Sequence, residues 1–285
     1  MVELTSAQIA QFEEDGFLVV ERLIDDDTVD VLREAMERLF RGEFQTGITP
    51  DEVNWQQDWG DPSLTRQICN GWKADRTVAA TLLCADIARA VATLGRWPGT
   101  RVMIDNILWK PPGTRPLGYH QDSAYLSWYS PPELLSCWMA LDDTSASGGT
   151  VEFVRGSHRW QHSTPEGEFH GPADYRRTML QAAAREGVEP EIVHVEVPAG
   201  GGSFHHGWTW HGSGCNDSTR PRRSVVLHAM PDGVRFAPHH LGEGTGRIYG
   251  RYKRLDDDVM DENYFPVLWR EDGYRTPGLD AFLAG

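Results

Sequence analysis

From Arg101 to about Met230 the chain is cut into short β-rich runs, VMIDNILW, LLSCWMALDD, TVEFV, IVHVEV, GSFHHGWTWH and SVVLHAM, separated by clusters of Gly, Pro, Asn and Asp. Runs this short with turn residues between them cannot supply long helices, and their number predicts a sandwich or barrel. Helical signals lie before them. Thr5 or Ser6 can cap a helix through AQIAQFEED that Gly16 ends, and FLVV at 17–20 then reads as a strand. After Asp25 to Asp27, Val29, Leu32, Met36, Leu39 and Phe40 recur at helical spacing up to Gly42. A third helix is predicted from about Asp75 to Leu94. Between them, residues 43–74 carry Trp55, Trp59, Trp72, Pro50 and Pro62 without periodicity, which predicts irregular chain forming one wall of a pocket.

The expected organisation is one domain over 1–285: a helical part with the pocket wall at 1–100, a β core at 101–232 interrupted by a polar insertion at 161–188, and an extension at 233–285. A chain of 285 residues can enclose a pocket. With 40% hydrophobic and 24% charged residues it is globular rather than disordered in composition. The formal charge of −15, from 27 basic against 42 acidic side chains, disfavours nucleic acid and anionic membranes as partners. The opening MVELTSAQIAQFEEDGFLVV lacks the basic start and apolar run of a signal peptide, and no window was expected to reach membrane-span length, so a soluble cytoplasmic protein is the expectation. Cys69, Cys84, Cys137 and Cys215 form no close pair, which argues against a zinc knuckle or a redox dithiol.

The chemistry concentrates in Y-H-Q-D, where His120 and Asp122 are separated by one residue after Lys110-Pro111-Pro112-Gly113. Alternate residues of a strand share a face, so an imidazole and a carboxylate can converge on one ion. A second imidazole can come from His211 in W-H-G-S-G, far enough along for several strands to intervene. Two His and one carboxylate leave open positions for other ligands and O2. Arg222 stands eleven residues after His211, where a hairpin could return it to bind a dicarboxylate's far end bidentately. His205 and His206 compete with His211 but lack the G-S-G-x-N that follows it and the spacing to Arg222. Arg223 competes with Arg222 but faces the other way in an alternating strand, and Arg220 precedes Pro221 in a turn.

The opening LTSAQIAQFEEDGFLVVERLI, KPPG, YHQD, GGTVEFVRGSH at 148–158 and HGSGCN at 211–216 together resemble the phytanoyl-CoA dioxygenase family of Fe(II)/2-oxoglutarate-dependent oxygenases, over residues 5 to about 230. One departure is Arg155, where the family usually has Pro. The resemblance implies a mainly β fold with flanking helices, a double-stranded β-helix (jelly roll) with iron at its open end. It implies that His120, Asp122 and His211 hold iron(II), that Arg222 binds the 2-oxoglutarate C5 carboxylate, and that Trp138, Asn106 and Ser213 line the cosubstrate pocket.

Taken alone, Trp138 is an ordinary core residue for an apolar strand. His158 and His228 are expected to be supporting or structural, and His239 and His240 to lie on the surface. Tryptophans 55, 59, 72, 128 and 208 are candidates to stack on a ring-bearing substrate. If the resemblance holds, O2 and 2-oxoglutarate are consumed to oxidise a small-molecule substrate, and a carboxylate at 122 argues against halogenation. Hydroxylation is the expected outcome, with oxidation to a carbonyl as the variant. The acidic residues Asp51, Glu52, Asp58 and Asp61 suit a cationic substrate such as an amino sugar or aminoglycoside. An acyl-CoA, amino acid or terpenoid acid is the alternative, and a non-catalytic jelly-roll binding protein is the alternative of another class.

Overall fold

The computed structural model describes residues 3–284. The chain begins with helix α1 (Ser6–Asp15), strand β1 (Phe17–Val20) and helix α2 (Asp26–Phe40), followed by β2 (Glu52–Val53) and β3 (Arg66–Cys69). Helices α3 (Arg76–Leu82) and α4 (Ala85–Gly95) precede β4 (Gly99–Lys110), β5 (Leu117–His120), β6 (Tyr129–Ser130), β7 (Leu135–Ala140) and β8 (Val151–Val154). Helix α5 (Arg177–Glu186) leads to β9 (Ile192–His194), β10 (Gly202–His206), β11 (His211–Ser213), β12 (Arg222–Pro231) and β13 (Arg235–Phe236). The chain closes with α6 (Gly246–Tyr249), β14 (Val267–Arg270) and α7 (Leu279–Ala284).

Local chemistry explains the helix ends. Thr5 and Gln8 form a capping box at the start of α1, and Gly16 stops it in the left-handed conformation. Asp25 caps α2 by accepting from the Thr28 N–H. The helix predicted at 75–94 is two helices, because Leu83 and Cys84 leave the helical path between α3 and α4. By length and composition Arg76–Gly95 is apolar enough to cross a membrane, which the sequence expectation missed, but most of it is buried inside the fold.

Apart from a β6–β13 ribbon, the strands form two antiparallel layers. The large sheet runs β1-β10-β7-β12-β4-β3-β2 with β14 also on β4, and the small sheet runs β5-β11-β8-β9. Alternation decides which side chains face where. On β7 and β12, Cys137, Met139, Val225 and Leu227 point to the helices and join Leu32, Met36, Leu39 and Val91 in the main core. Their neighbours Trp138, Ala140 and Val226 point inward and meet Val151 and Phe153 of the small sheet. Phe17 stacks on Phe153 with ring centroids 5.0 Å apart, tying β1 to the facing layer. This is the jelly roll with helices outside, as the resemblance implied.

Three local expectations change. Residues 43–74 are not wholly irregular: β2 and β3 extend the large sheet, and R-Q-I-C carries no apolar alternation because pairing with β4 holds it in place. GSFHHGWTWH is not one strand, since β10 belongs to the large sheet and β11 to the small one. The tail supplies β14 and, with Phe236, Tyr249 and Phe265 packed around Trp128, part of a second core.

Asp105 on β4 is fully buried and accepts from the backbone N–H groups of Gly71, at 3.1 Å, and Trp72, at 2.9 Å. Burial pushes its pKa up to about 7. An unfolded Asp titrates near ~3.9, so the folded chain holds the extra proton between these values, and stability falls as pH rises from about 4 to 7. Urea unfolding is expected to show this loss, on the order of 4 kcal/mol, and Asp105→Asn to flatten it. An unchanged slope in Asp105→Asn would assign the pH dependence elsewhere.

Candidate metal centre

The two sheets bring three side chains together at one end of the barrel. His120 ends β5 and is the direct cross-strand partner of His211 on β11. Asp122 does not share a strand face with His120, as the sequence pattern suggested. The strand stops at His120, and Asp122 opens a short 3-10 turn that swings its carboxylate back toward both imidazoles. One ligand atom from each of His120, Asp122 and His211 lies within 4.8 Å of the others. Asp122 Oδ1 is 3.3 Å from His120 Nε2 and 3.6 Å from His211 Nε2.

The protein fixes which nitrogen each imidazole offers. His120 Nδ1–H donates to the Gly118 carbonyl at 2.9 Å, and His211 Nδ1–H donates to the Thr209 carbonyl at 3.0 Å. Both Nε2 atoms are left with lone pairs facing Asp122, the arrangement a metal-binding histidine needs. Burial holds His211 well below the usual histidine range, which keeps it neutral and able to ligate. For Asp122, burial raises the pKa but the neighbouring histidines outweigh it, so it stays ionised. The donor set, two neutral imidazoles and one carboxylate with open positions, fits a divalent iron.

The second carboxylate oxygen is held from the large sheet. Ser136 donates to Asp122 Oδ2 at 3.1 Å and His205 Nε2–H donates at 3.2 Å. His228 Nδ1–H donates to Ser136 Oγ at 2.7 Å, and Asn106 Nδ2–H donates to His228 Nε2 at 2.9 Å. Every donor in this chain points toward the carboxylate, so Oδ1 is the oxygen left free for an ion. Sequence reasoning singled out neither Ser136 nor the support role of His205. A signal existed: S-x-W on β7, S-x-H on β10 and R-x-S-x-V-x-H on β12 are polar residues at the inward positions of apolar strands.

Arg222 lies on the opposite wall. It does not return by a hairpin from β11, because β12 belongs to the large sheet and reaches the barrel interior from across it. Its guanidinium, buried, donates to the Gly149 carbonyl at 3.0 and 3.2 Å and to Ser224 Oγ at 3.0 Å. Lys110, its cross-strand partner and also buried, donates to Ser213 Oγ at 2.9 Å and to the Gly214 carbonyl. Among the described residues neither cation pairs with a carboxylate. Burial lowers the Arg222 pKa to about 10 and, with Arg222 nearby, holds Lys110 well below its usual range. Buried charge without a counterion is costly, so an anionic carboxylate beside Arg222 fits this wall. Arg223 points outward onto Asp142 at 2.8 Å.

A cavity joins the two features: it is lined by His120, Asp122 and His211 at one end and by Trp138, Ser213 and Arg222 at the other. Asn106 borders it and also a second cavity of about 280 Å³ that opens from the same histidines toward Met103, Tyr125, Leu134 and Glu52. The segment between β8 and β9 closes one side, where Phe169 meets the His120 ring at 4.8 Å and Ser163 donates to Gln121. None of the tryptophans 55, 59, 72, 128 and 208 lines these two cavities. Trp128 is core, Trp208 stacks on His162, and Trp55 lies under Arg66.

Of the four acidic residues near that segment, Glu52 alone lines the second cavity. Asp51 is bound to Lys73 and Arg251, Asp61 pairs with Arg115, and Asp58 is exposed.

A family model described as phytanoyl-CoA dioxygenase (PhyH) matches residues 12–224. The peroxisomal phytanoyl-CoA dioxygenase of Homo sapiens is 25% identical over 244 residues, spanning 79% of this chain and 68% of that protein. Two solved structures share the fold: the non-heme alpha ketoglutarate dependent carbocyclase SnoK from nogalamycin biosynthesis has TM-score 0.70, 23% identity, and covers 93% of this chain and 96% of that one. The epimerase SnoN in complex with Fe3+, alpha ketoglutarate and nogalamycin RO has TM-score 0.69, 21% identity, and covers 92% and 98%.

Removing the Ser136 hydroxyl strips a donor from Asp122 Oδ2, and the acceptor of His228 with it, without touching His120 or His211. Anaerobic titration of Ser136→Ala is expected to show Fe(II) affinity reduced about 10–100-fold, the usual cost of losing such outer support. Unchanged affinity would mean that the Oδ2 contacts do not organise the site.

Proposed function

The chain belongs to the phytanoyl-CoA dioxygenase family and is an iron(II)- and 2-oxoglutarate-dependent oxygenase of small molecules, and on that premise we propose that His120, Asp122 and His211 hold the iron. Arg222 anchors the distal carboxylate of 2-oxoglutarate, with Trp138, Asn106 and Ser213 lining its pocket. The observation that carries this assignment is one cavity with a convergent His, Asp, His set at one end and, at the other, a buried guanidinium with no ion-pair partner among the described residues.

When bound, the iron with 2-oxoglutarate and O2 supplies the oxidation, releasing succinate and CO2 and inserting oxygen at a C–H bond of the substrate. The protein's part is positioning. His120 and His211 present Nε2 lone pairs because their Nδ1 protons are held by Gly118 and Thr209. Asp122 presents Oδ1 because Ser136 and His205 occupy Oδ2. Arg222 receives one carboxylate and so sets the direction in which the cosubstrate lies. Lys110 can only donate, so its bond to Ser213 Oγ makes that hydroxyl an acceptor there and frees its proton for an anion. Phe169 and the segment that carries it cover the His120 side from water.

A carboxylate at 122 favours hydroxylation over halogenation, with carbonyl formation as a variant. The substrate reading is a polar, cationic natural-product intermediate such as an amino sugar or aminoglycoside. Two features support it: among the described residues no Lys or Arg lines the second cavity, which disfavours the phosphates of an acyl-CoA, and the fold is shared with enzymes of nogalamycin biosynthesis. The surroundings expected for the enzyme are cytoplasmic.

Arg222→Ala is expected to raise the 2-oxoglutarate KM about 10–100-fold, the worth of a charge-assisted bidentate bond, with the iron affinity retained. An unchanged KM would remove Arg222 from the assignment. In a succinate-release assay over amines, acyl-CoA thioesters and terpenoid acids, amines are expected to stimulate turnover. Stimulation by the acids or thioesters alone would overturn the substrate reading.

A further inference from the structure

The second cavity has a mostly apolar wall, from Met103, Ile104, Leu126, Leu134 and Phe169, and a single carboxylate other than Asp122. That carboxylate is Glu52. Its hydrogen-bond partner is neutral: Tyr249 donates its hydroxyl at 2.5 Å. Among the described residues no Lys, Arg or His forms an ion pair with Glu52. The nearby cations Lys73 and Arg251 are committed to Asp51, at 2.9 and 2.6 Å. A negative charge therefore faces a largely apolar cavity without a protein counterion.

Register fixes where this charge sits relative to the metal. Glu52 is the cross-strand partner of Cys69, and Cys69 is the partner of Asn106. Asn106 marks the junction of the two cavities, next to His228, which lies 3.4 Å from Asp122. Two strand spacings separate Glu52 from Asn106, about 10 Å along the sheet. A group bound at Glu52 is thus roughly the length of a substituted ring away from the iron end.

We propose that Glu52 receives an ammonium group of the substrate, so that the amine is an anchor and the oxidised carbon lies remote from the nitrogen. This rests on the oxygenase reading above and adds to it the residue that selects the amine and the region of the substrate that reacts. The balanced reaction is R–H with O2 and 2-oxoglutarate giving R–OH, succinate and CO2. One oxygen atom enters the C–H bond, the other enters succinate, and the nitrogen stays attached. Oxidation at the carbon bearing nitrogen would instead give a carbinolamine that collapses and releases ammonia; the placement of Glu52 disfavours it.

The test uses enzyme loaded anaerobically with Fe(II) and 2-oxoglutarate and three probes that differ only in charge: 4-cyclohexylbutylamine, 4-cyclohexylbutanol and 4-cyclohexylbutanoate. Calorimetric titration of the wild type is expected to favour the amine over the alcohol by about tenfold or more, with the acid weakest. Glu52→Gln is expected to bring the amine to the level of the alcohol, and Glu52→Lys to place the acid first. Each variant is checked for folding by its 2-oxoglutarate-dependent visible absorption. Equal binding of amine and alcohol by the wild type, no binding of any probe, or an amine preference surviving in Glu52→Gln would each overturn the proposal. Absence of that absorption in the wild type would instead overturn the oxygenase assignment on which it rests. Admitting O2 is expected to yield an oxygenated amine by mass spectrometry, whereas ammonia release would overturn the remote position of the reacting carbon.

Discussion

The structure turns on one carboxylate held from two directions. Asp122 Oδ1 faces the imidazoles of the small sheet, while Oδ2 is bound by Ser136 and His205 of the large sheet. The site therefore exists only when both layers of the jelly roll are in register. A slip of one residue on β7 or β10 would turn Ser136 or His205 toward the helices and leave Oδ2 buried without donors. The inward residues Phe17, Trp138, Phe153 and Val226 hold the layers together beside this point, so packing and metal chemistry are coupled through the same strands.

Charge divides the interior. Among the described residues Arg222 and Lys110, at one end, form no ion pair with a carboxylate, and Glu52, at the other, forms none with a cation. In a low-dielectric cavity such unpaired charges are tolerated where a ligand completes them. On the proposed assignment the two signs would sort the ligands, drawing a dicarboxylate to one wall and repelling it from the other.

Much of this was legible in the sequence because it rests on period-two alternation and on motif chemistry. His120, Asp122, His211 and Arg222 could be singled out, and the structure brings them around one cavity. Alternation also separated Arg222 from Arg223, whose opposite facing follows from strand geometry alone. What could not be read was set by tertiary context. The break between β10 and β11 depends on which sheet each half joins, and β3 is a strand only because β4 lies beside it. The tryptophans of 43–74 looked like a substrate wall, yet Trp55 packs on Phe40 and Arg66, Trp72 packs on Phe282 and Trp59 is exposed, while Glu52 in the same segment reaches the cavity. Which acidic residue was free could be decided only once Asp51 was seen bound to Lys73 and Arg251.

The most direct test of the account is the visible absorption that develops when Fe(II) and then 2-oxoglutarate are added to the protein without oxygen. A chelate bound at His120, Asp122 and His211 predicts a weak charge-transfer band that saturates at one equivalent of each and is abolished in His211→Ala. No band in the wild type, or one that persists undiminished in His211→Ala, would contradict it.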